Sequence, residues 1–302
     1  MILRALLALA LTTQAAGQEI LIKPRLAAGD AFKLEVTKSR EDAGKPDDNY
    51  TTHTPVTVKV LSASKDGFVI EWRPGVVRIE GPGAKVDPAF AMAANLVGDA
   101  SVKFVLGPDG EIEGVENAAE LTPKFEMLID IATREASKTM SAEEASRFQG
   151  FMKQILSPTL LLSLVSRDAE TYLSLHGLAL APGESAEGKL EQPNPFGGRP
   201  IPAVFKVRMT KATPDAAMLE TVTTFDADTL LQVTMQLLEQ AAGKPAPEEV
   251  AKARMDLSEK GTVTFDRKVG LISEVTHTRA IAFGPSKRTE RWVIRLVTPP
   301  KR

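Results

Sequence analysis

The sequence predicts an α+β protein: a large antiparallel sheet built from hairpins and packed against several helices. Three observations carry that expectation. Gly107-Pro108-Asp109-Gly110 is a reverse turn between two short apolar-rich runs within Ser101 to Val115. Proline presets φ at one turn position, aspartate bonds its own backbone, and glycine accepts positive φ. A second hairpin of the same kind spans Gly261 to Ala280. After each β-rich block the apolar period lengthens from two residues to the helical three or four.

Composition agrees. The chain has 302 residues, 43% hydrophobic and 25% charged, the proportions of a globular protein rather than a disordered one. At this size a chain buries about 75% of its unfolded surface and needs no disulfide or metal to fold. A net charge of −2 and a pI of about 6.1 argue against a nucleic-acid-binding surface. There is no cysteine, which removes thiol chemistry altogether.

Met1 to Gly17 reads as a secretory signal peptide. Arg4 is the positive end, Ala5 to Leu11 the apolar core, and Ala15-Ala16-Gly17 the small residues before a cut near Gln18. The apolar run is too short to span a bilayer, which takes about 20 residues. No cysteine follows it to carry a lipid. The expected product is periplasmic or secreted, and not membrane-spanning once the leader is cut.

From there, Phe32 to Thr37 alternates apolar and polar residues, a half-buried strand. Ser39 to Thr52 is polar and reads as a mobile loop. Val56, Val58 and Val60 share one face, Lys65-Asp66-Gly67 turns the chain, and Phe68, Ile70 and Trp72 carry the return strand. Val76 to Ile79 is a further β-branched run, and Pro88 to Val97 a short helix before the hairpin at Ser101 to Val115. Asn117 and Glu120 form a candidate capping box. Leu121, Phe125 and Leu128 then recur at helical spacing. Ser141 with Glu144 opens another helix, striped by Phe148, Phe151, Met152 and Ile155. Ser157-Pro158 starts a third, apolar nearly all round at Leu160-Leu161-Leu162.

Leu178 to Pro202 is rich in proline and glycine and reads as a long connection. It divides the chain into a leader (1–17), an N-terminal α+β half (18–180), the connection (181–200) and a C-terminal α+β half (201–302). The halves could also share one domain. Ile201 to Lys211 and Ala217 to Phe225 form a hairpin around Thr213-Pro214-Asp215, and Asp228 caps a helix from Thr229 to Ala242. Another helical piece covers Glu248 to Met255. The last strand alternates Glu290, Trp292, Ile294 and Leu296 with Arg291, Val293 and Arg295. The order of elements repeats loosely between the halves, which raises a duplication.

Each chemical motif meets a blander reading. Gly183 to Leu190 fits G-x-x-x-x-G-K but puts Leu190 where a metal-binding Ser or Thr belongs, and Glu184 and Glu187 would face the phosphates. It reads as a flexible loop. Ser62 to Lys65 matches S-x-x-K, yet it lies in a hairpin turn and lacks its companion elements. Gly183-Glu184-Ser185 starts a nucleophile elbow that Glu187 ends. His53, His176 and His277 never lie four residues apart, so no helix presents a paired imidazole set. His277 stands out, on a strand with Glu274 and Arg279. The acidic pairs Asp47-Asp48, Glu143-Glu144 and Glu248-Glu249 sit in a loop or at helix starts, where solvent or the helix dipole accounts for them. Asn49-Tyr50-Thr51 is a glycosylation sequon. No cofactor, metal or catalytic set follows from these residues.

The helical middle is the least bland stretch. Phe125, Met127, Phe148, Phe151 and Met152 offer soft, adaptable surface of the kind that lines apolar pockets, although such a stripe also packs on a sheet. Element order over Ala31 to Val297 resembles the LolA/LolB-type periplasmic lipoprotein carriers, and similarly the mycobacterial lipid-carrier lipoproteins. The resemblance implies a half-barrel sheet and a helical lid enclosing an apolar cavity for acyl chains.

The expected function is therefore a non-enzymatic binding protein of the bacterial envelope. It would hold lipid or another apolar molecule between sheet and helices, with those five residues lining the site. The alternative is a structural protein that binds another envelope protein through a strand edge or patch, with the last strand's Arg291 and Arg295 as the feature. An enzyme built around His277 is a third reading.

Overall fold

The computed structural model describes residues 10–12, 18–84, 101–138, 141–143, 146, 149–150, 158–192, 200–242, 255–284 and 286–300. The helix expected at Pro88 to Val97 and most of the Ser141 to Ile155 helix lie outside them, as does the piece at 248–254.

Alternation places the strands. They are β1 (Ala10–Thr12), β2 (Ile20–Leu21), β3 (Ala31–Asp42), β4 (Tyr50–Ser64), β5 (Gly67–Pro74), β6 (Arg78–Glu80), β7 (Val102–Leu106) and β8 (Ile112–Val115). After helices α1 (Ala118–Ser137) and α2 (Pro158–Leu173) come β9 (Ala179–Leu180), β10 (Ser185–Gln192), β11 (Ile201–Ala212) and β12 (Ala216–Phe225). Helix α3 (Ala227–Ala242) precedes β13 (Met255–Asp266), β14 (Leu271–Phe283) and β15 (Ser286–Thr298).

Thirteen strands form one antiparallel sheet, ordered β1-β10-β11-β12-β13-β14-β15-β3-β4-β5-β7-β8, with β6 beside β4. Each half of the chain is a meander, and β15 against β3 joins the two. The path is open, so the sheet does not close into a barrel. β15 therefore sits at the centre with both edges paired, and the strand-edge version of the assembly reading loses its strand. β1 falls within the segment read above as a leader and pairs with β10.

Four local expectations are corrected. Polar Ser39 to Thr52 is half strand, because β3 and β4 pair as far as Arg40 and Tyr50 and leave only 43–49 as the connection. Gly183 to Leu190 is no loop. From Ser185 it is β10, whose small residues Ala186 and Gly188 pair with β11. Asn117 does not cap α1 with its side chain: its Oδ1 accepts from the Lys103 amide (2.8 Å) and its Nδ2 donates to the Ser101 carbonyl (2.9 Å). Asp226, not Asp228, caps α3 by accepting from the Thr229 amide at 2.8 Å.

One face of the sheet carries the core. Phe32, Leu34 and Val36 line up with Val56, Val58 and Val60, then Ile70 and Trp72, then Val102, Phe104 and Leu106. Val263, Val275 and Ile294 continue the surface on the other side of β3. Helix α2 lays Ala169, Tyr172 and Leu173 on it, and Leu121 and Phe125 of α1 join the same core. The buried Tyr172 hydroxyl donates to the Ile272 carbonyl at 2.6 Å, and its ring lies 6.1 Å from that of Trp72.

The sheet curls at this end. The nearest strands of the β7–β8 and β13–β14 turns, β7 and β14, are five strand spacings apart, about 24 Å on a flat sheet. Yet neighbouring residues touch both turns. Pro24 Cγ lies 2.5 Å from where a Cβ of Gly110 would be, and the Arg25 amide donates to the Gly270 carbonyl at 2.9 Å. The strap Ile20 to Arg25 is held down by Lys23 on Asp109 (2.8 Å) and by fully buried Ile22. It seals the apolar end of the curled sheet.

Candidate functional site on the helix-covered face

Away from the sealed end, the helix-covered face changes chemistry row by row. The apolar row Val263–Val275–Ile294–Val36 is followed by Gly261–His277–Trp292–Lys38. The next row reads Glu259–Arg279–Glu290–Arg40, alternating in sign across four adjacent strands. Such opposite-charge neighbours attract across a sheet. Beyond them Phe225, Leu257, Ile281, Met255 and Phe283 bring the face back to apolar side chains, all half-buried.

The charged row is a connected network. Arg279 Nε donates to Glu259 Oε1 at 2.6 Å, its second arm also bonds that carboxylate, and Nη1 lies 3.8 Å from Glu290. Arg288 Nε reaches Glu290 at 3.2 Å, and His277 Nε2 lies 3.6 Å from Glu259. Burial alone would raise the Glu259 pKa, but hydrogen bonding from His277 and the charge of Arg279 outweigh it and hold it at about 2. That residue is ionised throughout the ordinary pH range.

Helix α2 brings two more charges. Asp168 pairs with Lys38 at 2.8 Å. Arg167 stands over the Trp292 ring, 4.6 Å from its centroid, while Arg279 lies 5.5 Å away and His277 meets the ring edge-on at 5.4 Å. Arg167 makes no ion pair among the described residues. Burial lowers its pKa, and the like charge of Arg279 lowers it further. Burial likewise raises Glu170, one turn along, against the opposing charge of Arg167.

Helix α3 covers the apolar rows at the far end. It packs on β11 and β13, with Thr234 Oγ1 donating to Met255 Sδ at 3.2 Å. Leu231 and Met235 are only half-buried there, and Leu238 is 37% exposed. Helix and strands thus face each other with their apolar side chains incompletely covered.

Of the five residues expected to line an apolar site, Phe125 and Met127 are among the described residues. Phe125 is buried in the core, whereas Met127, two positions on and so on the other side of α1, is 47% exposed. Phe148, Phe151 and Met152 lie outside the described residues. His277 is in the network as its neighbourhood suggested, but its acid is Glu259. Glu274 points to the opposite face, where it binds Arg295 at 2.7 Å. His53 also lies on that opposite face, against Thr37 (3.2 Å), and His176 is buried beside the Leu173 carbonyl. Among the described residues no three His, Cys, Asp or Glu form a metal-ligand group. No described helix is long and apolar enough to cross a membrane.

Two signals could have exposed the site. Arg167 is the first charge after the apolar run Leu160 to Val165, and Glu259 shares a strand face with Gly261 and Val263. A separate cleft of about 340 Å³ lies under the strap, lined by Ile20, Lys23, Arg25, Phe265 and Arg267 among others.

No protein-family model matches the chain, and no curated protein does either. Among solved structures, the chain is similar to one described as lipid–protein interactions in lipovitellin. The TM-score is 0.47 and the identity 7%, over 92% of this chain and 26% of that one. The chain thus spans about a quarter of the solved chain it matches.

Proposed function

We propose that the protein is an exported, non-enzymatic carrier that holds a lipid or similar apolar molecule between its sheet and its helices, in the manner of the LolA/LolB-type carriers. The observation that carries this reading is the incomplete cover at the far end of the helix-covered face. There Phe225, Leu257, Ile281 and Phe283 are only half-buried, on and beside the strand β13 that α3 packs against. Side chains at most about a third exposed still forgo up to about 0.5–1 kcal/mol each, that share of the about 1.5–3 kcal/mol for full burial. A bound acyl chain would recover it. The sealed end with its strap supplies the rigid base on which such a site can open.

Native mass spectrometry of the purified protein and uptake of a fluorescent fatty acid test the reading. The expected result is a co-purifying ligand and saturable uptake, reduced several-fold by Leu257→Trp, which fills the space. Absence of both ligand and uptake would overturn it. Export predicts a mature N-terminus near Gln18, read by N-terminal sequencing of protein from the producing cell.

A further inference from the structure

Resting on the carrier reading, the geometry points to a second part of the same site: Arg167, helped by Arg40, receives the acidic headgroup of an amphipathic ligand. Three observations carry this. The carboxylates that act on Arg167 from a distance are otherwise engaged: Asp168 by Lys38, Glu259 by Arg279 and Glu290 by Arg288. Glu170, one turn along α2, forms no ion pair with it, and burial raises the pKa of its carboxyl. Among the described residues Arg167 is therefore a cation without a contacting anion, placed beside a second cation.

Arg40, opposite Glu290 in the charged row, has one unmet donor. It lies on the helix-covered face two residues from Lys38, and its Nε is buried with no hydrogen-bond partner. Buried guanidinium nitrogens are costly to leave unmet, and a carboxylate or phosphate meets them in a bidentate way that water does not. Finally, the spacing suits an amphiphile. Two rows along the strands separate Trp292 from the Leu257–Ile281 row, about 14 Å. A head at Arg167 would therefore leave its chain lying toward α3.

The experiment compares dodecanoate with 1-dodecanol, two ligands of one chain length that differ in the charge of the head, by isothermal titration calorimetry. The wild-type protein is expected to bind dodecanoate about tenfold or more tightly than the alcohol, the usual weight of a charged hydrogen bond. Arg167→Gln should erase that preference, and Arg167→Lys should keep part of it. A thermal unfolding transition close to that of the wild type, followed by circular dichroism, shows that each variant is folded. Equal affinity for acid and alcohol, or a preference that survives Arg167→Gln, would overturn the headgroup site and leave the carrier reading standing.

Failure of both ligands to bind would overturn the carrier reading, and the headgroup site with it. Dodecyl phosphate against inorganic phosphate separates the two sources of the anion. Inorganic phosphate bound as tightly as the amphiphile would overturn the role of the chain.

Discussion

Glu259→Gln isolates the energetics of the charged row. In the folded protein Glu259 is held at about 2 instead of its ordinary 4.5. At about 1.4 kcal/mol per unit, that difference amounts to about 3 kcal/mol of stability. Its side chain is only 12% exposed, so solvent screening takes little away. Removing one partner of a buried pair costs a similar amount, about 3–5 kcal/mol, because Arg279 would keep only Glu290 at 3.8 Å. For a chain this long, about 3 kcal/mol lowers Tm by about 5 °C.

The pH dependence supplies the sign. A carboxylate whose folded pKa is depressed stabilises fully above its unfolded value, and that stability fades as pH falls. The gap between wild type and variant should therefore be constant above about pH 5 and shrink between about 4.5 and 2. Urea denaturation at a series of pH values measures it. The double variant Glu259→Gln/Arg279→Gln should recover part of the loss, since it leaves no lone cation. A gap below about 0.5 kcal/mol at neutral pH, or one that persists unchanged to about pH 3, would refute the reasoning.

Three further outcomes follow from the fold. Gly110→Ala should cost about 2 kcal/mol by denaturant unfolding, because φ is +92° there and the new Cβ would lie 2.5 Å from Pro24 Cγ. Burial holds His176 at about 4 rather than 6.5, so its imidazole NMR shifts should stay put as pH falls through 6.5. The unfolded chain gains that proton first, and stability from this group is lost between about pH 6.5 and 4. Asp226→Ala should cost about 1 kcal/mol, measured the same way, by removing the α3 cap while leaving Asp228→Ala nearly silent.

Much of the fold was legible because turn chemistry and alternation are local. Gly107 to Gly110, Lys65 to Gly67 and Thr213 to Asp215 all turn the chain where their residue types require. The errors arise where side chains were free to choose among partners. Asn117 could cap a helix or bind β7, and only the nearby Ser101 and Lys103 backbones decide. Ser39 to Thr52 reads as a loop because it is polar and holds Pro46, Asp47, Asp48 and Asn49, and its inward Arg40 and Asp42 are charges that strand alternation does not reveal. The site was hidden for the same reason. Alternation reveals that Trp292 and Glu290 share a face, but not that β14 and β3 flank them. Arg167 comes from a helix whose run Leu160-Leu161-Leu162 reads as apolar nearly all round, which draws attention away from the charges that follow.

The alternating charges also have a consequence for assembly. β3 and β15 pair across nearly the whole chain, so their register must be found late and without a connecting turn. A slip of two residues would keep the apolar alternation intact and so meet little resistance from the core. The charged row supplies that resistance. Sliding one way sets Arg288 opposite Arg40, and sliding the other way sets Glu290 opposite Asp42. Either error brings like charges together in a poorly hydrated place, whereas the observed register gives Arg279 and Glu290 opposite neighbours. One set of residues thus fixes the central strand pair and, by spending its carboxylates on that task, leaves Arg167 open to an anion from outside the chain.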